Sequence, residues 1–186
     1  LEFVYGSKLD FDSLRVTSPI IASIGSTLAS IHSLKIDAIR AAGMPDYSAA
    51  DVRESRLAEL DRAASTGRIP ATLLQRWESA LEDLDLFRFQ PTVIHGNFVG
   101  ANVLELGDEV SGVLGWSNLE IGDPATDFIG FAAYDELFDA VKFAYFERRD
   151  EADANLAQRA TLYSELEIAN FLVTSLASGN TEDADW

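Results

Sequence analysis

Between Thr92 and Trp116 the chain stops reading as helix and reads as strand, and this change of period limits the fold more than any other feature. The runs "TVIH", "NVLEL" and "VSGVLGW" are short and apolar or β-branched, and the last two flank a "GDE" turn of hairpin type. On both sides of this region the spacing is helical. Ile20, Ile21, Ile24, Leu28 and Ile31 form one apolar stripe after Ser18-Pro19, which reads as a serine cap with proline at the first helical position. The stretch "AAGMPDYS" breaks the pattern. Ser48 or Asp51 can cap a second helix with Val52, Leu57 and Leu60 on one face, closed by Gly67. Pro70 opens a third, with Leu73, Leu74, Trp77, Leu81 and Leu84 in register and a charged, solvated face opposite. After Asp123-Pro124 helical spacing resumes over about 124–133, 135–149 and 155–178. At the other end, "LEFVYGSKLDF" reads as a short apolar strand followed by a turn at Gly6. The expected class is α+β, mostly helical, with one small hairpin amid helices.

Composition narrows what such a fold can do. With 186 residues, 47% of them hydrophobic, the chain can bury a sizeable core and is expected to form one domain rather than a disordered tail. Fourteen Lys and Arg against 31 Asp and Glu give a net charge of −17, which argues against nucleic-acid and anionic-membrane partners. The absence of cysteine excludes disulfides, thiolate metal sites and thiol nucleophiles. Two histidines, His32 and His95, are too few for a histidine-rich metal site. No apolar run approaches the ~20 residues of a membrane span, and no basic-then-apolar leader occurs, so a cytoplasmic location is expected. Starting at Leu1 and stopping at Trp186, the sequence reads as part of something longer.

Phosphoryl transfer from a nucleotide needs a base or orienting carboxylate near the acceptor hydroxyl and oxygen ligands that hold Mg²⁺ on the phosphates. "HGNFVGANVL" at 95–104 and "VSGVLGWSNLEIGDPATDF" at 110–128 resemble the catalytic loop and metal strand of the aminoglycoside phosphotransferase and choline kinase-like families. Those families share a protein-kinase-like fold, and their usual text is similar to "HGDxxxxNxL … GxIDWxxxxxGDPxxDL". Upstream, "LEFVYGSKLDFDSL" resembles the hinge between the two lobes, and "IASIGSTLASIHSL" the first large helix of the C-terminal lobe. "YSAADVRESRLAELDRAASTGRIPATLLQRWESALEDL" is similar to the helical insert of the bacterial antibiotic-phosphotransferase branch, macrolide kinases included. The resemblance implies a hinge strand and linker over 1–14 and a kinase-like C-terminal lobe over 15–186. Within that lobe it implies an insert at about 44–88, a catalytic-type loop and hairpin at 92–117, and C-terminal helices over 124–178. The preceding N-terminal lobe, which carries the phosphate-reaching lysine in the family, is not in this chain, and no GxxxxGK[ST] pattern occurs.

The match also implies roles. His95 falls on the motif histidine that supports the loop, Asn102 on the asparagine metal ligand, and Asp127 on the anchor that bonds the loop backbone. Asp123 is expected to shape the turn. Two positions depart from the family. Asn97 stands where the catalytic aspartate belongs, and Gly115 where the metal-binding aspartate precedes Trp116. An amide has no basic lone pair at neutral pH, and glycine offers no ligand, so Asn102 would face a hard dication alone. Losing one positioned acid–base group costs on the order of 10²–10⁴ in rate. Glu120 or Asp123 is the carboxylate that could swing in as a substitute ligand. His32 reads as a packed or capping histidine, Trp77 and Trp116 as core or wall residues, and Gly112 and Gly115 as points of close backbone approach.

Two functional readings follow. In the first, the chain is a pseudokinase-like lobe that keeps the scaffold, needs no cofactor, and binds a small molecule or a protein chain in the groove between insert and hairpin. An apolar hinge end at Phe3, Val4 and Tyr5 would then be a further contact surface. In the second, joined to an N-terminal lobe, it is an ATP- and Mg²⁺-dependent kinase of an antibiotic or other hydroxylated small molecule, using Asn102 and a substitute carboxylate.

Overall fold

The structure is a computed structural model that describes residues 4–150 and 152–178. Phe3, the first residue of the expected hinge contact, lies outside the described residues, while Val4 and Tyr5 are exposed. Five strands and six α-helices are described: β1 (Ser7–Lys8), α1 (Ile20–His32), α2 (Ile36–Ala41), α3 (Ala49–Ser65), α4 (Ala71–Glu82), β2 (Thr92–Ile94), β3 (Val103–Leu106), β4 (Glu109–Val113), β5 (Glu120–Gly122), α5 (Asp135–Phe146) and α6 (Leu156–Ser178). Short 3₁₀ segments at Phe11–Ser13, Gly100–Asn102, Trp116–Asn118 and Pro124–Phe131 join them.

The strands form two small antiparallel sheets, one in the order β1-β3-β4 and one of β2 with β5. The expected hairpin is β3–β4. Its two-residue connection begins at Gly107, whose φ of 70° is the left-handed conformation that such a tight turn requires. The β2–β5 pair sets Val93 opposite Ile121, both fully buried, so this ribbon is driven into the core rather than laid on the surface.

Around the strands, α1 packs against α5, and α6 closes over both α3 and the Pro124–Phe131 segment. The α1–α5 contact is close because residue 25 is glycine. A Cβ there would sit 2.6 Å from the Ala144 Cβ and 2.7 Å from the Tyr145 nitrogen. Ile24 and Leu28 from α1, Val141 from α5, Tyr163 from α6, and Phe128 and Phe131 are fully buried in one cluster. Each such side chain contributes roughly 1.5–3 kcal/mol through removal from water. The helix α3 starts with a reciprocal capping box. Ser48 Oγ accepts from the Asp51 N–H (3.2 Å), and the Asp51 carboxylate accepts from the Ser48 N–H (2.8 Å). Both expected caps therefore act together, and the hydrogen bonds from Ser48 hold the Asp51 carboxyl below its ordinary range.

Several expectations change. The N-terminal strand falls after Gly6 rather than before it, because Ser7 and Lys8 find partners in Glu105 and Leu104 of β3. Ser18 contributes its carbonyl to the Ile21 N–H (3.1 Å), and the helix begins at Ile20 with Pro19 flanking it. Leu84 is not on the α4 face: α4 ends at Glu82, the Asp83 carboxylate turns back to the Asp85 N–H (2.9 Å), and Leu84 is exposed. The segment after Asp123-Pro124 is 3₁₀ rather than α. Helix α2 and strand β5 were not expected at all, for α2 buries none of its six residues and β5 has only three.

Candidate functional site

The loop between β2 and β3 is held from below by one carboxylate. Asp127, on the Pro124–Phe131 segment and fully buried, accepts from the backbone N–H of His95 and of Gly96, each at 2.8 Å. Its Oδ2 also meets His32 Nε2 at 3.0 Å, and His32 Nδ1 meets the Tyr145 hydroxyl at 3.0 Å. The loop can press this close to its neighbours because residue 96 is glycine. Its φ is 75°, and a Cβ would lie 2.4 Å from the Asn118 carbonyl oxygen.

His95 fixes the loop from the side. Its Nδ1 accepts from the Asn97 N–H (3.2 Å), which places the ring proton on Nε2, and Nε2 donates to the Leu114 carbonyl (2.8 Å). The ring, fully buried, stands edge-on to Trp116 with centroids 4.6 Å apart. Thus a single neutral imidazole ties the loop to the end of β4.

The three positions expected to carry chemistry converge here. Asn97 is exposed at the loop's tip, and Asn102 Nδ2 donates to the Asn97 carbonyl at 3.0 Å. The Asn102 carbonyl accepts from the Leu114 N–H (2.8 Å), which brings residue 115 alongside. Gly115 has φ 77° and ψ 45°, in the left-handed region, and a Cβ built on it would lie 3.2 Å from the Asn102 side-chain amide. A side chain at 115 would therefore project onto Asn102. Asn102 has one amide oxygen to offer and Gly115 nothing, and among the described residues no group of three or more His, Asp or Glu side chains is arranged around a common point. This donor set does not fit Mg²⁺, a hard octahedral cation that takes carboxylates and water.

Of the two substitute carboxylates, Asp123 is already engaged. Asp123 is buried: it accepts from the Ala125 N–H (2.9 Å), from Arg159 Nε (2.6 Å) and Nη2 (3.0 Å), and from the Tyr163 hydroxyl (2.6 Å). Arg159 in turn engages Asp153 (2.6 Å), donates to the Leu86 carbonyl (3.0 Å) and lies over the Phe89 ring. Burial opposes the charge on Arg159, yet its hydrogen bonds to Asp153 and Asp123 outweigh that and raise its pKa; burial and Asp123 together raise the Tyr163 hydroxyl. Asp123 is thus a structural ion-pair partner as well as the turn residue expected.

Glu120 lines a groove of about 240 Å³ between α3 and β5, with Tyr47, Ser55, Arg56, Glu59 and Thr126. Burial raises its carboxyl, Arg56 partly offsets this, and Asp127 adds to it. Arg56 bonds Glu59 (2.9 Å) and stacks over Tyr163, while its Nε is buried without a hydrogen-bond partner.

Sequence reasoning missed His32, Arg159 and Tyr163 as members of this frame. The one available signal was a histidine on a stripe otherwise made of isoleucine and leucine. Arg159 and Tyr163 lie 36 and 40 residues from Asp123, in a helix whose pattern marked only a core face.

Comparison with known proteins identifies relatives of this fold. Among solved structures, macrolide 2'-phosphotransferase MphH from Brachybacterium faecium superposes with a TM-score of 0.82 at 25% identity, over 98% of this chain and 65% of that one. A type I macrolide 2'-phosphotransferase gives 0.83 at 22% identity over 99% and 65%. The GDP complex of aminoglycoside 2'-phosphotransferase-IIIa gives 0.78 at 16% over 98% and 64%. The chain thus spans about 65% of the length of the structures it resembles. Curated protein sequences give no significant match. The model of the phosphotransferase enzyme family, APH, matches residues 2–166, and the chain belongs to that family.

Proposed function

We propose that this chain is the C-terminal lobe of a phosphotransferase-type protein that has lost phosphoryl transfer and binds a hydroxylated small molecule in the groove between α3 and β5. The observation that carries the reading is the meeting of Asn97, Asn102 and Gly115, two neutral amides and no side chain, where transfer chemistry needs carboxylates. The groove supports the binding half. It combines acidic Asp51, Glu59 and Glu120 with the guanidinium of Arg56 and the exposed ring of Tyr47, groups that hydrogen-bond hydroxyls and pack sugar faces. In this role Asp127, His32 and His95 position the loop and take no part in chemistry.

A second reading has one observation in its favour. The half-buried Glu120 carboxyl is raised, which is the direction a general base at neutral pH requires, and it stands in the same groove. With an N-terminal lobe attached, the protein would then transfer phosphate from ATP to a bound hydroxyl. The two readings separate in the full-length protein. Titration calorimetry with Mg·ATP, and radiolabelled ATP with a macrolide or an aminoglycoside, should show neither metal-dependent nucleotide binding nor product. Turnover abolished by Glu120→Gln would establish the second reading and overturn the first.

A further inference from the structure

A second depression, of about 400 Å³, adjoins the groove between α3 and β5: Tyr47 and Asp51 line both. Arg56, Glu120 and Thr126 belong to the first alone, and Ile36, Gln90 and Pro91 to the second, so Tyr47 stands where the two meet. Its backbone is fixed from both sides. The Tyr47 N–H donates to the Ile121 carbonyl and the Ile121 N–H to the Pro45 carbonyl, each at 2.9 Å, and Asp46 bridges to Ile121, which is fully buried. On the other side Ser48 caps α3. The Tyr47 ring is nevertheless 41% exposed. A ring anchored in this way presents a flat apolar face with little left to order on binding. In the second depression Arg40 and Asp46 are bonded to each other (2.5 Å), and Asp51 is bonded to Ser48 (2.8 Å). The exposed Gln90 remains there as an amide that both donates and accepts. Size decides how the two spaces are used. A groove of about 240 Å³ is smaller than the roughly 300–1,000 Å³ of ordinary small-molecule sites, and the two depressions together fall within that range.

We infer that the ligand of this groove is a glycoside of at least two rings that straddles Tyr47. One ring sits beside Glu120, and the next packs on the Tyr47 face and reaches Gln90. The inference rests on the reading of the groove as a site for a hydroxylated small molecule. To that reading it adds the number of rings and the residue that senses it. Tyr47 sets specificity by contact and takes no part in chemistry.

Methyl β-cellobioside and methyl β-glucoside are suitable probes. They differ by one ring and carry no charge, so the net charge of −17 attracts neither. Titrated against the full chain by saturation-transfer NMR, both are expected to saturate, the two-ring glycoside about tenfold more tightly. Tyr47→Ala should bring that ratio to about one, and Tyr47→Phe should preserve it, because the contact uses the ring face rather than the hydroxyl. Gln90→Trp, at an exposed position, fills the second depression. It should also bring the ratio to about one, while the one-ring glycoside keeps its affinity within about twofold. A ratio near one in the parent, or an unaltered ratio in folded Tyr47→Ala or Gln90→Trp, would overturn the inference and leave the reading of the groove standing. Saturation by neither glycoside would overturn both.

Discussion

Placing aspartate at 115 tests whether the site has the shape of a metal cradle. The left-handed conformation of Gly115 (φ 77°, ψ 45°) is one that aspartate and asparagine tolerate best among residues with a Cβ, at a cost of about 1–2 kcal/mol. The new Cβ would lie 3.2 Å from Asn102 Cγ, Nδ2 and Oδ1, tighter than ordinary contact, so the amide must give by a few tenths of an ångström. Asn102 is only half-buried, which leaves it room to yield, although its Nδ2 is bonded to the Asn97 carbonyl at 3.0 Å. Gly115→Asp is therefore expected to destabilise by about 1–2 kcal/mol, a fall in melting temperature of roughly 2–8 °C for a domain of this size. Its carboxylate would then stand beside the Asn102 amide oxygen, and Asn97→Asp would add a second carboxylate on the neighbouring loop tip. One or two carboxylates with water is the donor set Mg²⁺ and Mn²⁺ accept. Electron paramagnetic resonance of Mn²⁺ should detect no bound ion in the unmodified chain and millimolar-range binding, with dissociation constants of about 1 mM, in the double variant. A folded double variant that binds no Mn²⁺ would refute the reasoning, as would a loss of stability far beyond about 8 °C.

Three further outcomes follow from the frame around the loop. Arg159→Leu leaves the buried Asp123 carboxylate uncompensated and should cost about 3–5 kcal/mol in urea unfolding, far more than loss of the exposed Arg88–Asp85 pair. Asp127→Asn replaces one oxygen of an acceptor that serves two backbone N–H groups and His32; a loss of about 2–4 kcal/mol is expected, with the His95 and Gly96 amides exchanging faster with deuterium. Glu120 has a folded-state pKa raised by burial, so ionising it weakens the fold as pH rises from its ordinary value of 4.5 through the raised one. Glu120→Gln should therefore have a higher urea midpoint than the parent at neutral pH, with the gap closing as pH falls toward that ordinary value.

The helices were legible because α1, α3, α4, α5 and α6 each repeat an apolar face over at least twelve residues, long enough for periodicity to show. Glycine and aspartate signals placed the β3–β4 hairpin for the same reason: its turn is local. Strand β5 was illegible because three residues carry no period, and it exists by pairing with β2, where Ile121 meets Val93 from 28 residues earlier, and by a bridge from Ile121 to Asp46. The site divides in the same way. Asn97, Asn102, Gly115 and His95 could be marked because a linear pattern names them, and the fold brings all four to one place. His32 and Arg159 act through partners 95 and 36 residues away, distances over which spacing along the chain carries no information.

The anchoring and the chemistry of this loop rest on different atoms. Asp127 holds the loop through the backbone N–H groups of residues 95 and 96, and His95 holds it through the Leu114 carbonyl. At position 97 the frame uses only backbone atoms, an N–H given to His95 and a carbonyl offered to Asn102, so its side chain can change without cost to the anchor. At position 115 glycine is the residue best suited to the left-handed backbone, so an aspartate there is a strain that the fold does better without. Asparagine at 97 and glycine at 115 are therefore both compatible with the anchored scaffold. A phosphotransferase fold can keep the whole geometry of its loop while nothing in that geometry requires the loop to remain reactive.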